Sequence, residues 1–339
     1  MRPQEVSSGV AQLHAEMARQ HGDALQTYDD AREMASEIAG AVRSRGRLLL
    51  IGMGGSHWIN RAACPYYVRA GIDATCHVAS EYIRSPLPGS NVMLLTSQSG
   101  NSGEIVRLLD LGLASDPSFG LTLESSSTLA LRLPSLVGHG GTEAAYAATR
   151  SLLVTLAMHA AILSGLDAGT VTPPKAGFNP DPHERSAAID RIRTARSAIM
   201  VARGVDQGVM DAAALSLMEV ARIPVLGLEA GQFRHGPFEM MDGSSAVVFL
   251  RSRGSEADDL RPLIEECIAC AITPVVFDAS GREPVNGATT VTLPAASGLE
   301  LAFIALPAIQ EVLVDAADRM VENAGVPQRS LKVTSAEVG

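Results

Sequence analysis

Thr96-Ser97-Gln98-Ser99-Gly100-Asn101-Ser102-Gly103-Glu104 concentrates hydroxyls, an amide and glycines where the pattern changes from strand to helix. The apolar run Val92-Met93-Leu94-Leu95 ahead of it is short enough for a buried strand. Behind it, Ile105, Leu108 and Leu109 recur at helical spacing, with Gly112 as a stop. A strand that ends in such a loop and restarts as a helix leaves backbone N–H groups without intrahelical partners. Those donors, with the hydroxyls of Ser97, Ser99 and Ser102, suit a phosphate; the same string also fits an ordinary serine-rich turn with an N-cap. A second loop, Gly52-Met53-Gly54-Gly55-Ser56 after Leu48-Leu49-Leu50-Ile51, favours the phosphate reading. It approaches the dinucleotide fingerprint, but the third glycine of that pattern falls at His57, whose side chain blocks the close packing a glycine permits. Two Gly- and Ser-rich turns from one parallel sheet fit one phosphate carrying a small sugar.

The elements that must position these loops follow from periodicity. Residues 10–44 read as two amphipathic helices, on Leu13 and Met17 and then on Ala31, Met34, Ala35, Ile38 and Val42. Strands are predicted at 48–51, 75–79 and 92–95, helices at 60–70 and 103–111, and short strands at 120–123 and 131–133. A long apolar helix follows at 143–164, entered from Gly140-Gly141-Thr142. Pro173, Pro174, Pro180 and Pro182 mark a linker. A second alternation then runs through strands at 198–202, 224–228, 246–250, 274–277 and 289–293, a helix at 209–222 and a closing helix at 299–323.

The expected fold is α/β: two doubly wound parallel-sheet domains in tandem, with N-terminal helices and a C-terminal tail. Its parts are a helical lead-in (1–45), a first domain (46–168), a linker (169–185), a second domain (186–323) and the tail (324–339). In such sheets ligands bind beyond the C-terminal ends of the strands, where both loops fall. The second half has no Ser-Gln-Ser-Gly counterpart, so one phosphate site is expected.

Composition narrows the function. Of 339 residues, 46% are hydrophobic but only 4% aromatic, so two cores must rest on Ala, Leu, Val and Ile. A net charge of -10 argues against nucleic-acid and anionic membrane partners, leaving local dipoles and hydroxyls to hold an anionic substrate. Four cysteines give no disulfide framework in a chain this long, which fits a reducing cytoplasm. Cys267-Ile268-Ala269-Cys270 has redox or metal spacing, yet it lies inside a predicted helix at 262–271 without a second pair, and reads as packing. No metal or other cofactor is expected. The start of the chain, with Glu5 and Glu16, lacks the apolar core of a targeting peptide, and no apolar run has membrane-spanning length.

Gly54-Gly55-Ser56, Ala79-Ser80-Glu81-Tyr82, and Ser97-Gln98-Ser99-Gly100 with Ser102 resemble the sugar isomerase (SIS) domain, as found in the isomerase half of glucosamine-6-phosphate synthase. Ala214-Leu215, Leu217 and Glu219, followed by Gly231-Gln232-Phe233-Arg234-His235-Gly236-Pro237, are similar to that enzyme's active-site helix and its G-x-x-x-H-G-P segment. Arg329-Ser330-Leu331-Lys332-Val333-Thr334 resembles the family's tail, one residue shorter before the lysine. The resemblance spans about residues 10–335.

It implies that Gly54, Gly55, Ser56, Ser97, Gln98, Ser99 and Ser102 hold the phosphate of a sugar. Chemistry at C1 and C2 of that sugar needs a base and a ring-opening acid. Glu219 lies among Leu215, Leu217, Met218, Val220 and Ala221, where burial would raise its pKa, although a carboxylate on a helix can equally face solvent. The resemblance makes it the proton-transfer base. His235, expected on a loop because Gly236 and Pro237 follow it, reads as a hydrogen-bonder or a catalyst. By resemblance it opens the ring and is contributed across a dimer interface, which implies a homodimer with shared sites. Lys332, on a polar tail, would be solvated in general; the resemblance folds it over the sugar, to form a Schiff base or to close the site.

Departures bear on the reaction. The synthase's second lysine is Ser216 here, its Ser-Thr-Lys segment is Ala148-Thr149-Arg150, and residue 2 is Arg2 rather than a glutaminase nucleophile. The expectation is a cytoplasmic phosphosugar enzyme without glutaminase activity, of isomerase, aminosugar deaminase or deglycase type. The alternative is a phosphosugar sensor without catalysis. A nucleotide-dependent oxidoreductase is disfavoured by His57.

Overall fold

The computed structural model describes residues 6–332, apart from the Glu256 side chain. Val333 and Thr334 of the tail motif lie outside the described residues. Helices α1 (Ser8–Asp30) and α2 (Arg32–Arg45) lead in, α2 ending at Gly46 in the left-handed conformation. There follow β1 (Arg47–Gly52), α3 (Gly54–Arg69), β2 (Asp73–Val78), α4 (Ala79–Arg84), β3 (Val92–Thr96), α5 (Gly103–Asp110), β4 (Ser118–Thr122), α6 (Thr128–Arg132), β5 (Ser135–Val137) and α7 (Arg150–Gly165). The second series is α8 (Pro182–Ile192), β6 (Ser197–Ala202), α9 (Gln207–Ala221), β7 (Val225–Glu229), α10 (Ala230–Arg234), β8 (Ser245–Arg251), α11 (Glu256–Ala269), β9 (Val275–Asp278), β10 (Thr289–Thr292) and α12 (Gly298–Met320).

Each series builds one five-stranded sheet with all neighbours parallel, in the orders β2-β1-β3-β4-β5 and β10-β9-β8-β6-β7. Counted from the first strand of each half, both follow the doubly wound order 2-1-3-4-5, with a switch point between the first and third strands. The described residues divide into two compact units: the second sheet's residues Ala176–Pro327 with Ala145–Thr149 and residues 6–17, and the first sheet's residues Ala18–Ala144 with Arg150–Lys175 and residues 328–332.

Parallel strands covered on both faces bury every residue, and β3 and β8 do so along their whole length. One face of the first sheet packs Leu49, Ile51, Met93 and Leu95 against Ile105 and Leu108 of α5. In the second, Ile199, Val201, Val247 and Phe249 pack against Leu260, Leu263, Ile264 and Cys267 of α11. Cys267 is thus a core residue, and Cys270 lies exposed at the helix end.

Helices α3 and α11 begin six residues ahead of the positions expected for them, α8 already starts at Pro182 within the expected linker, and two further elements differ more. The helix expected at 143–164 starts only at Arg150. The Glu143 carboxylate accepts from the Ser151 N–H at 3.2 Å and from its Oγ at 2.6 Å, so it caps α7 from outside the helix. Arg150, fully buried, ties the preceding turn by donating to the carbonyls of His139 and Gly141 at 3.2 and 2.9 Å. The strand expected at 131–133 is instead the end of α6, capped by Ser127 Oγ accepting from the Ala130 N–H, and pairing resumes after Pro134 at β5. No helix among the described residues is long and apolar enough to cross a membrane.

Candidate functional site

β1 and β3 are neighbours, with Gly52 opposite Thr96 in the register. Their two following loops therefore leave side by side at the switch point of the first sheet, roughly 4.8 Å apart at the strand ends. Gly54, Gly55 and Ser56 form the first turn of α3 after Met53, an extended N-cap that offers no side-chain cap. Gly54 has φ +51°, a conformation glycine adopts without cost. Ser102 is the N-cap of α5 and likewise makes no side-chain cap bond. The N–H groups of both first turns have no intrahelical acceptor, so the two helices present a paired set of donors.

The serine loop is braced from within. Ser97 Oγ lies 2.9 Å from Ser102 Oγ and accepts from the Gly100 N–H at 3.1 Å. Ser99 Oγ accepts from the Asn101 N–H at 3.2 Å. Gln98 is anchored by its carbonyl, which accepts from the Leu123 N–H at 3.0 Å and from Thr122 Oγ1 at 3.2 Å. Its side-chain Nε2, shielded from solvent, has no hydrogen-bond partner. A buried amide donor without an acceptor costs free energy, which an oxyanion would restore.

Sequence reasoning missed the support beneath these loops. Asn60 of α3 accepts through Oδ1 from Thr96 Oγ1 at 2.9 Å and from His159 Nε2 of α7 at 3.1 Å. Since Oδ1 only accepts, His159 carries its hydrogen on Nε2, and its Nδ1 accepts from the Tyr67 hydroxyl at 3.0 Å. Burial pushes the His159 pKa down to about 3, so the ring is neutral. The chain Thr96–Asn60–His159–Tyr67 locks the end of β3 to the helix that carries the other loop.

Lys332 meets Glu143. Its Nζ lies 3.1 Å from Glu143 Oε2, with the carboxylate completely buried. The other two predicted residues belong to the second unit. Glu219 lies half-buried on α9, whose core face is Ala213, Leu217, Val220 and Ala221. Ser216, in place of the synthase's lysine, turns its hydroxyl back to the Ala212 carbonyl at 3.1 Å.

His235 lies outside regular structure, in the two-residue turn between the one-turn helix α10, which it caps, and a 3₁₀ turn, Pro237–Met240. Glu229 starts α10 by accepting from the Gly231 and Gln232 N–H groups at 2.8 and 3.2 Å. Gly236, with φ +116°, makes the break that a residue with a side chain would resist. Phe233 and Phe238 stack edge to face at 5.4 Å on either side, anchoring the segment and leaving the imidazole exposed.

Glycine- and serine-rich loops at the switch point of a 2-1-3-4-5 parallel sheet define a doubly wound α/β protein with a candidate phosphate cradle. Residues 191–313 match the SIS domain. Its sequence is 24% identical over 310 residues to a glutamine–fructose-6-phosphate aminotransferase [isomerizing] of Staphylococcus aureus, over 84% of this chain and 51% of that enzyme. The chain thus spans about half the length of the curated relatives it matches. Among solved structures, it is similar to the C-terminal domain of glucosamine-fructose-6-phosphate aminotransferase from Francisella tularensis (TM-score 0.78, 16% identity, covering 93% of this chain and 98% of that one). It is equally similar to tagatose-6-phosphate ketose/aldose isomerase from Escherichia coli (TM-score 0.78, 16% identity, 95% and 98%). At these identities the structural likeness shows the fold, and it extends over both halves.

Proposed function

We propose that the chain is an enzyme that holds a 6-phosphorylated sugar or aminosugar by its phosphate and moves a proton between C1 and C2. The observation that carries this reading is the switch-point cradle: two adjacent helix starts without side-chain caps, paired serine hydroxyls, and the unpartnered amide of Gln98. In this reading Gly54, Gly55, Ser56, Ser97, Gln98, Ser99 and Ser102 bind the phosphate. Glu219 is the proton-transfer base and His235 the ring-opening acid. The exposure of His235 agrees with a side chain contributed to a partner subunit in a cytoplasmic homodimer. Lys332 closes the site from the tail, its Nζ held 3.1 Å from the buried Glu143 carboxylate. Aldose–ketose isomerisation, aminosugar deamination and cleavage of a sugar–amine adduct all run on this base and acid, and the names of similar proteins support a 6-phosphorylated substrate.

Incubation with a panel of 6-phosphorylated sugars and aminosugars is expected to show turnover of at least one. Glu219→Gln should lower kcat by ~10² or more while binding persists. A second reading, binding without conversion, is favoured by the engagement of Lys332 and by Ser216 standing where the synthase has a lysine. Thermal shift separates the two: a ligand at about 100 times its Kd adds about 2.7 kcal/mol to the folded state. Stabilisation without turnover across the panel would leave the binding reading.

A further inference from the structure

The edge of the first sheet that carries the serine loop also carries a carboxylate. Glu124 lies two residues past the end of β4, the strand next to β3, with Leu121 opposite Thr96 in the register. Its backbone is fixed from both sides. The preceding residue, Leu123, donates its N–H to the Gln98 carbonyl at 3.0 Å, the Glu124 N–H donates to Thr122 Oγ1 at 3.2 Å, and the Glu124 carbonyl accepts from Ser127 Oγ at 2.7 Å. The half-buried side chain turns toward the segment after β5, where its Oε1 accepts from Thr142 Oγ1 at 2.7 Å. Among the described residues no cation pairs with this carboxylate, and its Oε2 accepts no hydrogen bond. Thr142 in turn precedes Glu143, whose buried carboxylate holds Lys332 Nζ at 3.1 Å. The strand order β1-β3-β4-β5 thus places Glu124 between the switch-point loops and the segment that holds Lys332. Neighbouring strands are about 4.8 Å apart, so β3 to β5 is roughly 10 Å, a distance that a phosphorylated hexose spans. A carboxylate without a cation beside a site for an anion weakens that site, because like charges repel, unless the ligand itself brings positive charge. Glu104, also next to the serine loop, is offset by the helix dipole in the first turn of α5. Glu124 follows a strand and lacks that compensation.

We propose that Glu124 is a specificity-determining residue: it accepts a hydrogen bond from a protonated amine on the sugar, so the site takes an aminosugar phosphate or a sugar–amine adduct in preference to a neutral hexose phosphate. The inference rests on the phosphate reading above and adds to it the second charge of the ligand. The phosphate occupies the donors at the starts of α3 and α5, and the ammonium, further along the same edge, meets Oε2. Thr142 keeps Oε1 engaged, so the carboxylate is oriented before the ligand arrives and less rotamer freedom is lost on binding. A neutral hexose phosphate gains no such partner and still meets repulsion between the carboxylate and its own phosphate. The discrimination therefore has an attractive and a repulsive part. A ligand that carries both charges also suits a chain of net charge -10, since long-range repulsion acts on net charge.

The test is isothermal titration of the full chain at neutral pH with glucosamine 6-phosphate, its N-acetyl derivative, in which the nitrogen carries no charge, and glucose 6-phosphate. Wild type should bind the charged amine roughly tenfold more tightly than either neutral sugar, the scale of one charge-assisted hydrogen bond. In Glu124→Gln that advantage should disappear, while affinity for glucose 6-phosphate stays the same or rises. The glutamine Oε1 can still accept from Thr142, so thermal unfolding of the free variant should match wild type. Because the selectivity of wild type carries the main result, a poorly folding variant does not obscure it. Equal affinity of wild type for charged and neutral probes, or an equal loss of all three in a folded Glu124→Gln, would overturn the role of Glu124 and leave phosphate binding standing. Binding of none of the three would overturn the phosphate reading together with it.

Discussion

The Lys332 ammonium lies 3.1 Å from the Glu143 carboxylate, which has no exposed surface, whereas Lys332 keeps a quarter of its own. Glu143 also accepts from the N–H and hydroxyl of Ser151, so one carboxylate both caps α7 and pins the start of the tail. Removing the cation from a buried pair costs more than removing both charges, because the remaining ion stays desolvated. Lys332→Met is therefore expected to lower unfolding free energy by about 1–3 kcal/mol, and Glu143→Gln in the same chain to recover part of that loss. Denaturant titration of the two single variants and the double variant measures it. Additive effects would show that the pair contributes nothing as a pair.

Gln98 separates a ligand-binding role from a structural one. Its Nε2 is buried without an acceptor, so replacing the amide by an apolar group of similar shape removes an unmet donor. Gln98→Leu should leave the stability of the free protein unchanged or slightly raised. Affinity for a 6-phosphorylated sugar should fall roughly tenfold, the loss of about one charge-assisted hydrogen bond. Isothermal titration beside thermal unfolding reads both, and unchanged affinity would remove Gln98 from the site.

Both sheets were legible in the sequence because parallel strands covered on two faces appear as short apolar runs between glycine-rich turns. The two strand-to-helix loops were legible for a related reason, since their glycines and serines mark where each strand ends and its helix begins. The start of α7 was not: Glu143 to Arg150 is alanine-rich and looks helical, but Glu143 and Arg150 bind partners elsewhere in the chain, and that tertiary pull overrides propensity. The polar chain under the loops left no local trace. Its links join residues 36, 99 and 92 positions apart, and no periodicity reports contacts of that length.

Gly100 tests whether the cradle depends on its backbone. It has φ +62°, and a Cβ there would overlap the Ser127 side chain and stand 2.9 Å from Thr122 Oγ1. Gly112 has nearly the same φ, +65°, with open space around the position. Gly112→Ala should cost only the left-handed conformation, about 1 kcal/mol. Gly100→Ala adds the collision, for about 1–3 kcal/mol more, and should abolish phosphosugar binding. Equal costs at the two positions would mean that the Ser127 turn yields freely.

His159 makes stability depend on pH with a definite sign. Its folded pKa of about 3 lies below the ordinary value of 6.5 because burial disfavours the imidazolium. Between those values the unfolded chain binds a proton that the folded chain refuses, so stability rises with pH across the window. The contribution is complete above pH 6.5 and drains away as the pH falls below it, by about 1.4 kcal/mol per unit. His14 works the other way: its hydrogen bond to Asp315 raises its pKa, so its share is present at low pH and lost as the pH rises. A difference measurement isolates the buried ring, because His14 is common to both proteins. The stability gap between wild type and His159→Gln should therefore narrow steadily from pH 7 to pH 5. A gap of constant size would show that the imidazole beneath the glycine- and serine-rich loops takes up its proton as readily in the folded state as in the unfolded one.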